Sequence, residues 1–214
     1  MIKNRIKAVI FDMDGIIIDS EPLQKEAFDL VLKPYNIYLS DEEFKKLIGI
    51  RSIENFIDLK KEYDIPLSAE KLTDKKNQYY EEILKKNAEP RDGVIELLSY
   101  LKDKYKIALA SGSIRADVMN TLSLLKLKKF FSVIVTGDDV INGKPHPEIF
   151  LKTAELLNIN PEYCAVIEDS ENGIKAAHLA GMISIAVPTY FTNTHNFETA
   201  DFVVNRLIDI KKIL

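Results

Sequence analysis

The sequence predicts an α/β fold, a Rossmann-like parallel sheet core carrying an inserted α-helical domain, and three observations predict it. Short apolar runs recur at 6–11, 106–110, 132–135, 164–167, 183–187 and 201–204. Amphipathic helical patterns separate the later runs, as a parallel sheet with helices on both faces requires. Residues 20–87 break this alternation and contain no convincing strand.

The first run, Ile6-Lys7-Ala8-Val9-Ile10-Phe11, reads as a buried strand ending at Asp12. In the interruption, Leu23, Ala27, Leu30 and Val31 mark one amphipathic helix. Ser40 followed by Glu43 has the spacing of a capping box and predicts a second, with Phe44, Leu47 and Ile48 inside it. Ile53, Phe56, Ile57 and Lys60 continue as a third, and Ser68 is placed to cap a fourth through Leu72, Tyr79, Ile83 and Leu84. Lys and Glu enrich the segment, as on a solvated helical surface. Turn chemistry at Pro90-Arg91-Asp92-Gly93 marks its end. The expected domains are therefore a core of residues 1–18 and 88–214 and a helical domain of residues 19–87. In the core, Val94, Leu97, Leu98 and Leu101 share a helical face, as do Ile114, Val118, Leu122 and Leu125, and then Ile149, Phe150, Ala154 and Leu157.

A chain of 214 residues can bury one good core, or a core with a smaller insert. A net charge of −4 argues against a nucleic-acid binder, which needs a basic face. Cys164 is the only cysteine, so no intramolecular disulfide forms, and Ala165, Val166 and Ile167 beside it suggest a small core residue rather than a reactive thiol. No apolar run approaches a membrane span. The start, Met1-Ile2-Lys3-Asn4-Arg5, leads directly into the first strand with no signal-peptide pattern. A cytoplasmic monomer with no membrane partner is the expectation.

Four stretches follow predicted strands, and in an open parallel sheet ligands bind at the carboxyl ends of the strands. Asp12-Met13-Asp14-Gly15 puts two carboxylates in one tight turn: one could attack phosphorus and the other exchange protons, or the pair could hold a metal or cap a helix. Ser111-Gly112-Ser113 offers a hydroxyl and amides at a helix start, which suits a phosphate, although a serine cap would look the same. In Gly143-Lys144-Pro145-His146-Pro147, the Lys144 ammonium could neutralise a phosphate together with its nucleophile, or simply sit on a surface turn. A cis bond at Lys144–Pro145 is open, and His146 reads as a loop residue. Glu168-Asp169-Ser170 would make a hard oxygen site that, with Asp12, prefers Mg²⁺ to Zn²⁺, and would also cap a helix. Acids, serine, lysine and acids again, in that order at strand ends, form a chemically coherent set. Mg²⁺, Lys144 and the amides would cancel the repulsion between a phosphate dianion and a carboxylate nucleophile.

This order resembles the haloacid dehalogenase superfamily. Phe11-Asp12-Met13-Asp14-Gly15 with Asp19-Ser20-Glu21-Pro22 is similar to its first motif, Ser111 to its second and Lys144 to its third. Ile167-Glu168-Asp169-Ser170, with Gly173 beyond, is similar to the fourth. The helical insert resembles that family's cap, and the subgroup resembled is the β-phosphoglucomutase-like phosphatases. The resemblance implies Asp12 as nucleophile and Mg²⁺ ligand, and Asp14 as general acid/base whose backbone carbonyl also reaches the metal. It implies Ser111 with the Gly112 and Ser113 amides as phosphate holders, Lys144 as charge balance, Asp169 as Mg²⁺ ligand, and Glu168 close to the metal. In the insert, Gly49-Ile50-Arg51-Ser52 resembles a substrate-specificity loop, and Lys76 lies near a substrate-contact position. Gln24 stands where mutases of the subgroup carry a histidine. Glutamine cannot shuttle a proton as histidine does.

The leading expectation is a Mg²⁺-dependent phosphatase that hydrolyses a small phosphorylated metabolite, such as a sugar phosphate, through an aspartyl-phosphate. A β-phosphoglucomutase-type isomerase is the alternative. A receiver domain phosphorylated on aspartate would also use acids, a hydroxyl and a lysine at strand ends, but its phosphoacceptor follows a middle strand and an insert of this size is foreign to it.

Overall fold

The computed structural model describes residues 5–48, 50 and 52–214. In chain order the elements are β1 (Ala8–Phe11), α1 (Glu21–Leu32), α2 (Asp41–Lys45), α3 (Ser52–Glu62), α4 (Ala69–Asn87), α5 (Val94–Leu101), β2 (Lys106–Ala110), α6 (Arg115–Leu124), β3 (Val133–Val135), α7 (Glu148–Leu157), β4 (Cys164–Glu168), α8 (Glu171–Leu179), β5 (Ile183–Ala186) and β6 (Phe202–Val203). Two compact units result, one of residues 1–19 with 89–214 and the other of residues 20–88.

The first unit is a six-stranded sheet in the order β3-β2-β1-β4-β5-β6, parallel throughout. Along β1, Ala8 and Ile10 join a buried cluster with Ile149, Phe150, Ala154 and Leu157 of α7 and Ala176 and Ala177 of α8. Val9 and Phe11 alternate to the opposite face, and they too are fully buried. Burial on both faces explains why the strands read as continuous apolar runs rather than as alternating ones. Cys164 lies in this core, and burial pushes its thiol up to about 11.

The chain builds β1, β2 and β3 on one side and then crosses back to lay β4 beside β1. The switch point, where adjacent crossovers diverge, therefore lies between the carboxyl ends of β1 and β4. The excursion into the second unit leaves and returns at one place, since Ile18 bridges Pro90 and the Arg91 amide donates to the Ile17 carbonyl at 2.9 Å.

The second unit has a small core of its own. Phe28 stacks on Phe56 with ring centroids 4.9 Å apart and meets Phe44 edge-on at 5.9 Å. Leu72 and Leu84 of α4 are buried as well. Ser40 and Glu43 form the anticipated reciprocal capping box, and Ser68 accepts from the Lys71 amide to cap α4.

Some local expectations differ from the structure. β1 begins at Ala8 rather than Ile6, and β6 is two residues long, since it has a neighbour on one side only. α2 stops at Lys45, so Leu47 and Ile48 lie in the following turn. Ile57 is exposed on α3 although Phe56 beside it is buried. Ile114 is also exposed, because it is the N-cap of α6 with extended backbone and so stands outside the helical period that aligns Val118 and Leu122.

Candidate active site

Asp12 follows β1 directly, and its amide donates to the Ile167 carbonyl of β4 at 3.0 Å, so it sits at the switch point. It is 5% exposed, a costly place for a carboxylate without a partner. The partner is Lys144. Its Nζ donates to Asp12 Oδ1 at 2.5 Å and to Glu168 Oε1 at 2.8 Å, and lies 5.1 Å from the Phe150 ring centroid. Burial pushes the Asp12 carboxyl above its ordinary value, with Glu168 and Asp14 adding to the rise and Lys144 opposing it. For Lys144, burial works to lower the pKa, but Asp12 and Glu168 outweigh it, so the ammonium stays charged.

The other oxygen of Glu168 accepts from the Ser170 amide at 2.6 Å and the Ser170 hydroxyl at 2.9 Å. Glu168 thus acts first as a support for Lys144. Ser170 also caps α8 by accepting from the Gly173 amide, so one serine does both jobs. A Cβ at Gly173 would overlap the Glu168 carboxylate, which explains a glycine inside a helix.

Asp14 accepts a hydrogen bond on Oδ2 from the Ser113 hydroxyl at 2.9 Å. The first-strand turn and the second-strand loop are therefore tied together. Ser111 is fully buried and accepts from the Ser113 amide at 3.1 Å, folding the loop back on itself. Gly112 has open space where a Cβ would be, and its own carbonyl lies so close to Gly137 that a side chain at Gly137 would overlap it. The bond at Lys144–Pro145 is cis. His146 is an exposed loop residue whose Nδ1 accepts from the Glu148 amide.

Asp169 is buried at the end of β4. The turn after Asp14 presses against it: Gly15 has φ +71°, and a Cβ there would overlap the Asp169 carboxylate. Asp12, Asp14, Ser111, Ser113, Lys144, Glu168 and Asp169 thus occur at neighbouring strand ends. In the helical unit, Gln24 is half-buried on α1 and Ser52 opens α3. Lys76 is buried on α4, with its Nζ over the Phe28 and Tyr80 rings. Gly49 and Arg51 lie outside the described residues.

Three supports were not legible in the sequence. Arg91 Nη1 donates to the carbonyls of Gly15 and Val187, and Nη2 donates to that of Pro188 at 2.9 Å. Its place in a Pro-Arg-Asp-Gly turn gave only the signal of a boundary. Thr189 and Thr192, in an irregular stretch after β5, reach Asp169 through a buried network.

Among the described residues, no three His, Cys, Asp or Glu side chains come close enough to cage an ion alone. That donor set still suits Mg²⁺, which takes one or two carboxylates and fills its octahedron with waters, carbonyls and phosphate oxygens.

A parallel sheet with a lysine bonded to two buried carboxylates at its switch point, and a further aspartate in the same turn, is a doubly wound α/β fold whose strand-end site has the donors to receive an anionic group. The chain belongs to the haloacid dehalogenase-like hydrolase family, whose model matches residues 9–187. It is an enzyme of phosphatase type within the β-phosphoglucomutase-like members of that family. It is 38% identical over 182 residues to a phosphorylated carbohydrates phosphatase of Thermotoga maritima, covering 83% of this chain and 82% of the relative. It is 35% identical over 191 residues to a β-phosphoglucomutase of Bacillus subtilis, covering 85% and 83%. The solved β-phosphoglucomutase of Clostridium difficile superposes with a TM-score of 0.77 at 30% identity, covering 97% of this chain and 95% of that one. CbbY of Rhodobacter sphaeroides, solved in complex with phosphate, gives 0.82 at 25% identity, covering 96% of each. No described helix is long and apolar enough to cross a membrane.

Proposed function

We propose that the protein is a Mg²⁺-dependent phosphatase that hydrolyses a small phosphorylated metabolite, a sugar phosphate being the favoured class, through a phosphoryl group carried on Asp12. The observation that supports it most is the Lys144 ammonium held against Asp12 Oδ1 in a buried setting. A structural ion pair alone has no need of a second carboxylate on the same ammonium, nor of a third within one turn.

An Asp12 carboxylate oxygen attacks phosphorus in line, the ester P–O bond breaks, and Asp14 gives its proton to the departing alkoxide. Asp14 then takes a proton from water, that water's oxygen attacks the phosphoryl group, and the bond to Asp12 breaks to release phosphate. Ser113 orients Asp14 for both transfers through its hydrogen bond. Ser111, the Gly112 amide and Lys144 hold the phosphoryl oxygens, and the Ser113 amide joins them by giving up its bond to Ser111. Asp12, the Asp14 carbonyl and Asp169, with Glu168 close by, would hold Mg²⁺, which when bound would supply positive charge between nucleophile and phosphate. The relatives named for phosphorylated carbohydrates and phosphoglucose support the substrate class.

Mass spectrometry after rapid acid quench tests this reading. The Asp12 peptide should carry one phosphoryl group, the label once formed should decay more slowly in Asp14→Asn, and Asp12→Asn should be inactive and unlabelled. Turnover in Asp12→Asn within a few-fold of wild type would remove the nucleophile from the scheme. The Bacillus subtilis relative supports a second reading, phosphate transfer between sugar positions. Gln24, at the place where mutases of the subgroup carry a histidine, weighs against it. Free phosphate released without glucose 1,6-bisphosphate means hydrolysis, whereas dependence on the bisphosphate means mutase.

A further inference from the structure

The stretch after β5 contains two buried hydroxyls that the scheme above does not use. Thr189 is 7% exposed and Thr192 1%. The Thr192 hydroxyl oxygen accepts from the Thr189 amide at 2.9 Å and lies 3.1 Å from the Thr189 hydroxyl. Thr189 Oγ1 in turn accepts from the amides of Phe191 and Thr192, each at 3.2 Å.

Counting protons fixes the direction of this network. A hydroxyl oxygen has two lone pairs and one proton. Both lone pairs of Thr189 Oγ1 are taken by amides, so Thr189 can only donate to Thr192. Thr192 Oγ1 then accepts from the Thr189 amide and the Thr189 hydroxyl, which uses both of its lone pairs. Its one proton goes to its remaining neighbour, Asp169 Oδ2, at 3.2 Å. Two backbone amides are thereby linked through two hydroxyls to one oxygen of a buried carboxylate. The same oxygen is the Asp169 atom nearest to where a Cβ on Gly15 would stand.

We infer that Thr192 is a positioning residue for divalent-cation binding: its hydroxyl, pinned by Thr189, fixes the plane in which Asp169 presents its carboxylate to Mg²⁺. The inference rests on the metal role given to Asp169 above. A metal ligand binds best when it is held in the right orientation beforehand, so hydrogen-bonded partners of a ligating carboxylate tune affinity even though they never touch the ion. The amides at the far end of the chain keep the donor from rotating away. Asp169 therefore does not have to be ordered when the cation arrives.

Mg²⁺ binding measured by isothermal titration calorimetry on the intact protein without substrate tests this, using wild type, Thr192→Val, Thr192→Ser and Asp169→Asn. The expected result is a loss of about tenfold or more in Mg²⁺ affinity for Thr192→Val, in the range typical of such partners. Thr192→Ser, which keeps the hydroxyl, should stay within threefold of wild type. Melting in EDTA separates this from a general loss of packing. Thr192→Val with wild-type affinity, beside an Asp169→Asn that has lost binding, overturns the positioning role and leaves the metal site standing. If Thr192→Val does not fold, the serine variant decides, because a tenfold loss there overturns the role of the hydroxyl. Wild-type protein that takes up no Mg²⁺ overturns the metal reading itself and this inference with it.

Discussion

Lys144 Nζ lies 2.5 Å from Asp12 Oδ1 although 132 residues separate them in sequence. Both side chains are nearly enclosed, and Glu168 completes the cluster on the other side of the ammonium. Lys144→Met would leave two buried carboxylates without their counter-charge. The expected cost is about 3–5 kcal/mol of stability, the usual result of removing one partner from a buried pair. Under the proposed scheme turnover also falls by about 10²–10³, as when an oxyanion-stabilising group is lost. Urea denaturation and steady-state phosphate release measure the two effects separately. A variant as stable as wild type would mean that the cluster is solvated in solution.

The two glycines Gly15 and Gly112 should respond in opposite ways to the same change. Gly15→Ala forces a side chain at φ +71° into the Asp169 carboxylate, and about 2–4 kcal/mol should be lost. At Gly112 a Cβ meets nothing within 4 Å, so Gly112→Ala should unfold at nearly the wild-type urea midpoint. Equal midpoints for the two variants would refute the close approach of the Gly15 turn to Asp169.

Arg91 spans three carbonyls, one from the Gly15 turn and two from the end of β5. Arg91→Met should cost about 2–4 kcal/mol, since each buried carbonyl loses a charged donor. Arg91→Lys should recover little of this, because a single ammonium cannot reproduce the planar fork. Thermal melts of the three proteins decide it, and full rescue by lysine would mean that charge alone matters.

Asp139 gives a pH signature away from the site. Burial alone would raise its pKa, but hydrogen bonds from Arg115, the Thr136 amide and the Thr136 hydroxyl prevail and hold it down to about 2. A carboxyl with a depressed folded-state pKa binds fewer protons folded than unfolded, so its stabilisation is full above its unfolded value of 3.8 and fades as pH falls toward about 2. Asp139→Asn should therefore be less stable than wild type by about 1–2 kcal/mol at pH 7 and pH 5. The gap should narrow at pH 3. Urea midpoints at these three pH values would show it, and a gap that is constant with pH would assign the loss to packing instead.

Much of the site was legible because its residues sit at fixed places relative to strands. A turn after an apolar run, with two acids and a glycine, has few physical uses; Ser111 and Glu168-Asp169 likewise stand at strand ends, while Lys144 comes nine residues after β3. The capping box at Ser40 and Glu43 was equally clear, since both partners lie within one helical turn. Ile57 and Ile114 misled because hydrophobicity alone does not say whether a residue faces the core or stands outside the helical period.

By itself the sequence determined the alternation of strands and helices, the place of the insert and the positions of the acids, serine and lysine that the proposed scheme uses. All of these follow from local period, caps and turn residues. Tertiary structure alone decided that Arg91 clamps three carbonyls, that Thr189 and Thr192 lead to Asp169, and that Glu168 supports Lys144. Those are contacts between segments far apart in the chain. Hydrogen-bond direction and burial there depend on how the strands are ordered across the sheet, and no local pattern of residues encodes that.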